Sequence, residues 1–419
     1  VTALNLADSR ALNFRPGVEK LPLPEGVKAA CTGLACDGER IYVSYGAADR
    51  IGVYDLAGNL TATWDVPAPG RLDLGPDGAL VAFSGNRIVS VKDGAVSDLV
   101  TEELGHTRGI AVSDAGELYV ALAGEGQQVQ VFDADGARVR TIGKTGGRPV
   151  KGTYDASGMY QPGGIDIDAR GRLWVAEHAR FPKRISVWNT RTGENVAEFF
   201  GGSHYFAYGT IDPDKPDEIL AHNVLWTIDW KTYKTSPLAT IWRKTAPGMV
   251  PPPRDTGNHK GSPRIITAAN GRQYMFGQHV KPAIVLRREG NVFKPFLATF
   301  VVKNGKAFHG KVQVEGDEPP NGACLWQDAN DDQCVQAGEL TKLPIHPRSL
   351  NCSRNEDLSL TKDLTLYMNA GHYLKAGYRL QPERVTDAGQ PIYDFEKAEK
   401  IPFAQAPHAD GFVYSYNGG

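Results

Sequence analysis

The 419-residue chain lacks a sustained helical period, an apolar run long enough to cross a membrane, and an excess of charge of either sign. The first absence removes helical bundles and α/β folds, because an amphipathic helix repeats its apolar residues at i, i+3, i+4 and i+7. The second removes membrane-spanning helices, which need about 20 consecutive apolar residues. The third, a net charge of −2 at pH 7, argues against nucleic-acid partners, since neutralising phosphates requires a basic face. No G-x-S-x-G elbow, P-loop or H-E-x-x-H occurs, so nucleophilic serine catalysis, nucleotide hydrolysis and zincin proteolysis are not expected. The first residues, VTALNLADSR, lack the basic and apolar regions of a signal peptide, so an export signal, had there been one, has been removed.

Cysteine is scarce, with five in the chain. Cys31 and Cys36 form a C-x4-C loop, Cys324 and Cys334 bracket an acidic segment, and Cys352 is left over. The spacings match neither a zinc ribbon nor a haem attachment. They read as two local disulfides plus one buried thiol, with five reduced thiols as the alternative. Disulfides would put the protein in an oxidising compartment, secreted or periplasmic.

Glycine and proline, in contrast, are plentiful at 47 and 27 residues and are spread evenly, which suits many short strands joined by many turns. One pattern recurs. Its clearest copy is RGIAVSDAGELYVALAGEGQQVQVFDADGARVRTIG from Arg108, followed by GGIDIDARGRLWVAEHARFPKRISVWNTRTGENVAEFFGG from Gly163. More diverged copies begin near Thr32, Arg71, Gly209, Pro263 and Glu356. The period is about 40 residues, the size of one propeller blade, and the alternation in ELYVALA and RLWVAEH indicates half-buried strands.

The order GIAV-D-x-x-G-x-LYVA…V-x-VFD-x-x-G resembles the NHL repeat family, in its bacterial secreted form. That resemblance implies an all-β β-propeller of four-stranded blades over residues 1–419 as a single domain. Closing the ring avoids exposed sheet edges. The C-terminal HADGFVYSYNGG supplies two strands of a blade and the N-terminal segment could supply the other two, giving eight blades, with seven as the alternative. Because the last blade stops abruptly after YNGG, the chain is also compatible with a larger parent protein.

Two departures from the repeat carry chemistry. Residues 304–344 form an insertion holding DANDDQCVQAGE, which has the spacing of an EF-hand-type calcium loop. Asp328, Asn330 and Asp332 stand at positions one, three and five, the Cys334 carbonyl at seven and Glu339 at twelve. Gln333 replaces the usual glycine at position six, which places the sharp turn in question. Calcium here would be structural, and a solvated acidic loop is the alternative.

The second departure concerns histidine. In a blade, the loop leading into the inner strand and the loop between the second and third strands share one face. His106, His204, His259 and His408 precede inner strands, and His178, His222, His279 and His372 follow second strands. His346 precedes a further inner strand and His309 lies elsewhere. Either each ring serves its own blade, or several converge at the channel mouth to bind zinc or copper or to act as a base. Arg108, Tyr160, Tyr205, Lys260, Arg264 and Arg354 hold neighbouring positions, and such cations suit a carboxylate- or sulfate-bearing ligand.

The expected function is metal-assisted, lyase-type chemistry on an anionic carbohydrate or similar polar substrate. His204 and Tyr205 are the expected acid/base pair, and Arg108 or Arg264 the charge neutraliser. Tyr160, Lys260 and Arg354 would bind substrate. Propeller-fold polysaccharide lyases and the NHL-type peptidyl-hydroxyglycine amidating lyase, which use His, Tyr and Arg at this end of the channel, point the same way by resemblance. The alternatives are a non-catalytic scaffold for a glycan or protein and, more weakly, a multi-histidine copper redox site. The expected partner is a polar small molecule or polysaccharide, with no nucleic acid and no membrane, and the protein is expected to be a monomer.

Overall fold

The structure, a computed structural model, describes residues 21–28, 30–149, 151–178, 182–201, 209–221, 224–241, 248–250, 263–277, 283–308, 311–346, 358–369 and 376–402. Its regular elements are β-strands and short 3-10 turns, and the fold is all-β, of the β-propeller class. Two compact units are present. One comprises residues up to Gly147 with Met159–Glu177 and Ile185–Glu198, the other Arg148–Gly158, His178–Arg184 and the chain from Phe199.

The first unit is built on four antiparallel sheets whose strands follow chain order. Their inner strands are Gly33–Cys36, Pro69–Leu74, Thr107–Val112 and Pro162–Ile167, and successive inner strands lie side by side. Alternation sets the layers. The second strand Leu118–Leu122 is buried throughout, while the outer strand Arg138–Ile142 buries little but Ile142. Between neighbouring sheets, Ala111, Tyr119, Val131, Leu173 and the fully buried Trp188 pack as one core.

The turns joining first and second strands explain the repeat's Asp and Gly. At Asp168-Ala-Arg-Gly171, the Asp168 carboxylate accepts the Arg170 and Arg172 amides at 2.9 and 3.0 Å. Gly171 closes the turn at φ +68°, a conformation that a side chain would strain. Three blades also carry an acid, an arginine and an aromatic ring at the same corner. Asp37 with Arg40 and Tyr42, Glu117 with Arg140 and Tyr119, and Asp168 with Arg172 and Trp174 each combine a hydrogen-bonded carboxylate with a guanidinium 5.5–5.9 Å from the ring centre. The Arg172 guanidinium and the Trp174 indole hold the Asp168 carboxyl well below the usual carboxylate range. Burial opposes the same shift in Asp37, but the Arg40 and Glu39 amides and the Tyr42 hydroxyl pull it down to about 2.

The second unit contains sheets starting from Gly209–Asp212, Pro263–Thr267 and Leu358–Leu360. The diverged stretch from Gly209 is a complete blade, with strands Lys215–Ala221, Val224–Asp229 and Lys234–Thr240, and Gly152–Thr153 adds a fifth strand to its edge. Seven sheets of four or more strands are therefore present among the described residues, each starting where the sequence repeat starts. The blade expected from the two chain ends lies outside the described residues.

The insertion grows sideways. The fourth strand of its blade, Val292–Val302, runs 11 residues and pairs both with Ala283–Glu289 and with Gly322–Gln327 of the insertion, which in turn pairs with Leu340–Lys342.

The expected disulfides are not formed, as Cys31, Cys36, Cys324 and Cys334 are all free thiols. Cys36 ends an extended strand, and an extended chain advances about 3.3 Å per residue, so it is carried beyond the roughly 7 Å span of a disulfide from Cys31. Cys324 is fully buried mid-strand, its Sγ facing the Pro320 and Gly322 carbonyls, and burial pushes its thiol up to about 11. Cys352 lies outside the described residues.

Candidate functional site

Within each described blade of the first unit, the loop leading into the inner strand does meet the loop after the second strand. Ala123 donates its amide to the His106 carbonyl at 2.9 Å, Gly85 to the Ala68 carbonyl at 3.2 Å, and Gly46 to Thr32 Oγ1 at 3.1 Å. In the fourth blade the link is a side chain, the Glu177 carboxylate, whose Oε2 accepts the Tyr160 amide at 2.9 Å. Glu177 is itself buried and held from behind, since Trp188 Nε1 donates to Ser186 Oγ at 2.8 Å and Ser186 Oγ donates to Glu177 Oε1 at 3.3 Å. Gln127 accepts the Gln161 amide on its Oε1, which ties the third blade to the loop of the fourth.

On this face His106 is exposed beside Gly124, and Tyr160 is half-buried. Arg108 is exposed on its inner strand, with no ion pair to a described residue. His178, also exposed, and the half-buried Arg264, second residue of its inner strand opposite Phe276, belong to the second unit. His204, Tyr205, His222, His259, Lys260, His279, Arg354 and His408 fall outside the described residues.

The insertion's acidic loop is folded more fully than its sequence promised. Gln333 at position six adopts φ +62° and Asp331 φ +65°, so the sharp turn forms without glycine. The turn is held by Asp328, whose Oδ1 accepts the Asp331 amide at 2.7 Å and Oδ2 the Gln333 amide at 2.9 Å. Glu339 closes the loop, accepting Ala329 N at 2.7 Å and Trp326 Nε1 at 2.9 Å. Burial, reinforced by the charge of Glu339, pushes the Asp328 carboxyl up to about 6, and burial raises that of Glu339.

Asp328 is buried and Glu339 half-buried, and neither forms an ion pair with a described cationic side chain, so these are the two oxygen donors of the loop that a hard cation would draw on. The remaining side chains are bonded to one another. Asn330 Nδ2 donates to Asp332 Oδ2 at 2.9 Å, and Gln336 Nε2 donates to the same oxygen at 2.6 Å. Among the described residues no three His, Cys, Asp or Glu side chains converge as metal ligands. A cation would therefore exchange those bonds for its own. The Gln336 side chain, at position nine, joins the candidate oxygens.

Three features escaped the sequence reading. Glu177 looked like an ordinary strand residue. Asp331, between two ligand positions, instead clamps the loop to the blade through Arg287 Nη2 at 2.9 Å and Lys294 Nζ at 3.3 Å. Arg71 is exposed at the head of its inner strand, and its signal was in plain view, because RLDL places an arginine where the repeat's GIAV has glycine.

No family model matches the chain, and no curated protein matches it. Solved structures similar in fold include streptogramin B lyase, at 15% identity over 74% of this chain and 93% of that one, TM-score 0.35. Kuenenia stuttgartiensis hydrazine synthase is similar at 12% identity over 88% and 80%, TM-score 0.33. Virginiamycin B lyase from Staphylococcus aureus is similar at 15% identity over 71% and 90%, TM-score 0.32. At such scores the likeness carries neither an activity nor a residue to this chain, and the β-propeller class rests on the sheets themselves.

Proposed function

We propose that this chain is a secreted or periplasmic NHL-type propeller whose loop face cleaves an anionic carbohydrate by elimination, and whose insertion is ordered by calcium. The observation that supports the catalytic reading is the shared face in the first unit. There the loops leading into inner strands meet the loops after second strands; His106 and Tyr160 stand on those loops, and Arg108 is exposed on the inner strand that follows His106.

The chemistry follows from those residue types. The Arg108 guanidinium pairs with a uronate carboxylate and so acidifies the proton on the adjacent carbon. The Tyr160 hydroxyl, on the same face of the first unit, takes that proton and returns one to the departing glycosidic oxygen, while His204 and Tyr205, the expected acid/base pair, lie outside the described residues. A carbon–carbon double bond remains in the product. Of the imidazoles expected to hold a zinc or copper ion, His106 and His178 are exposed, while His222, His259, His279 and His408 lie outside the described residues, and these steps need none of them as ligands. Calcium, held by Asp328, Asn330, Asp332, Glu339 and the Cys334 carbonyl, would supply charge neutralisation to the insertion and no chemistry.

The test is incubation of the purified chain with polygalacturonate, alginate and heparan sulfate, following the ultraviolet absorbance of the new double bond. The expected result is turnover of one class, abolished in Arg108→Ala. Binding of a glycan without turnover, at every metal tried, would replace the lyase reading with a scaffold.

A further inference from the structure

In three consecutive blades of the first unit, the inner strand carries one residue more than its partner at the same level. Pro69 pairs with Ser84 but Leu72 with Ala82; Thr107 pairs with Leu122 but Gly109 with Ala121; Pro162 pairs with Glu177 but Ile165 with Val175. The extra residue falls at Gly70–Arg71, at Arg108 and at Gly163–Gly164. Such a bulge re-aims a side chain, and a bulge repeated at one register is a built feature of a sheet.

The backbone at the bulges is fixed by close approach of the preceding blade. A Cβ on Gly33 would stand 2.5 Å from the Gly70 carbonyl oxygen and 2.9 Å from Arg71 Cα, and one on Gly109 would stand 2.1 Å from the Gly163 oxygen. The Asp73 carboxylate accepts the Val112 amide at 2.8 Å, which ties the Arg71 strand to the Arg108 strand and keeps the two bulges close in level. Asp73 also accepts the Leu74 amide at 2.8 Å, so the nearest carboxylate on the strand is engaged with backbone.

Arg71 and Arg108 are both exposed, and neither is ion-paired to a described residue. Beside Arg108, the third bulge offers glycine, and a Cβ on Gly164 would meet no atom within 4 Å. Two exposed arginines thus stand on neighbouring inner strands, and the next inner strand has open space at Gly164.

We propose that Arg71 and Arg108 form a two-arginine clamp for the carboxylate groups of an acidic sugar chain, with the ring accommodated over Gly164. This deepens the reading above and rests on it for the class of ligand. Guanidinium suits that role because its planar fork matches a carboxylate in a bidentate pair, which an ammonium cannot do.

The experiment uses the full chain, with trigalacturonate and its methyl ester as probes in titration calorimetry, and with thermal melts checking that each variant folds. Arg71→Ala and Arg108→Ala should each weaken trigalacturonate by about tenfold to a hundredfold, the usual cost of a lost charged hydrogen-bond donor, and leave the ester unchanged. Arg71→Lys should recover only part of the loss. Equal binding of acid and ester, no binding of trigalacturonate, or unchanged affinity in Arg71→Ala would each overturn the clamp. Turnover is scored separately: a clamp that binds without double-bond formation sinks the lyase reading alone, and turnover with an unchanged KM in Arg71→Ala sinks the clamp alone.

Discussion

Replacing Asp331 with asparagine would expose how much the insertion depends on one buried charge. Arg287 is 1% exposed, its Nη2 lies 2.9 Å from Asp331 Oδ1 and 2.7 Å from Glu289 Oε1, and Lys294 bridges the same two carboxylates. Its Nε and Nη1 are buried without a hydrogen-bond partner, so the guanidinium has little slack to absorb a loss. Removing one partner of a buried pair costs about 3–5 kcal/mol when nothing compensates. Here Glu289 remains and Asp331 is 40% exposed, so screening and the second carboxylate leave roughly half, about 2 kcal/mol. For a unit of this size that is a fall in Tm of roughly 4–8 °C. Arg287→Met combined with Asp331→Asn should cost less than Asp331→Asn alone, because the uncompensated cation is gone. Scanning calorimetry of the four proteins in the cycle measures this. An Asp331→Asn protein within about 0.5 kcal/mol of the parent would refute the argument.

Other outcomes test other parts of the structure. Gly109→Ala drives a methyl against the Gly163 carbonyl and should cost about 1–3 kcal/mol, whereas Gly164→Ala enters open space and should change stability by under about 0.5 kcal/mol, both read by urea denaturation. Calcium at a hundred times its Kd should stabilise by about 2.7 kcal/mol, an effect lost in Glu339→Gln; a parent protein indifferent to calcium ends that reading. Without calcium, the raised Asp328 carboxyl contributes stability fully below its unfolded value near 3.8 and loses it as pH rises through about 6. With calcium the proton becomes a competitor, so apparent calcium affinity should be about tenfold weaker at pH 5 than at pH 7.5. Asp37 has the opposite sign: its carboxyl is lowered to about 2, so its contribution is present above about 4 and is lost as pH falls toward 2. Thermal melts of Asp37→Asn should accordingly show a flatter acid limb.

The blades were legible because alternation and turn chemistry act locally. Asp168 bonding the amides of its own turn needs nothing from the rest of the chain, and every expected inner strand among the described residues begins within a few residues of its repeat. Even the divergent Gly209 stretch folds as a blade, although its own turns announce it poorly. Gln333 shows the limit of reading a motif residue by residue. Glycine eases a left-handed turn, yet the two amides held by Asp328 impose that conformation on a glutamine. Bulges were illegible for a related reason, since the extra residue appears only when two strands are laid side by side. Arg71 consequently read as a diverged repeat position rather than as a re-aimed side chain. The Cys31–Cys36 pair misled because closeness in sequence is not closeness in space once the chain runs extended between them.

The sideways growth of the insertion has a consequence for how it opens. Its strand Gly322–Gln327 shares the hydrogen-bond ladder of Val292–Val302, whose other edge belongs to the blade, so the acidic loop hangs from the sheet rather than from a hinge. A segment attached in that way has no private unfolding transition; it exchanges its amides when the blade does. Protection at Phe300, Val302 and Ala323 should therefore rise and fall as one block, and an ion caught more than 25 residues along the chain from the blade's own last turn would slow exchange across the whole sheet.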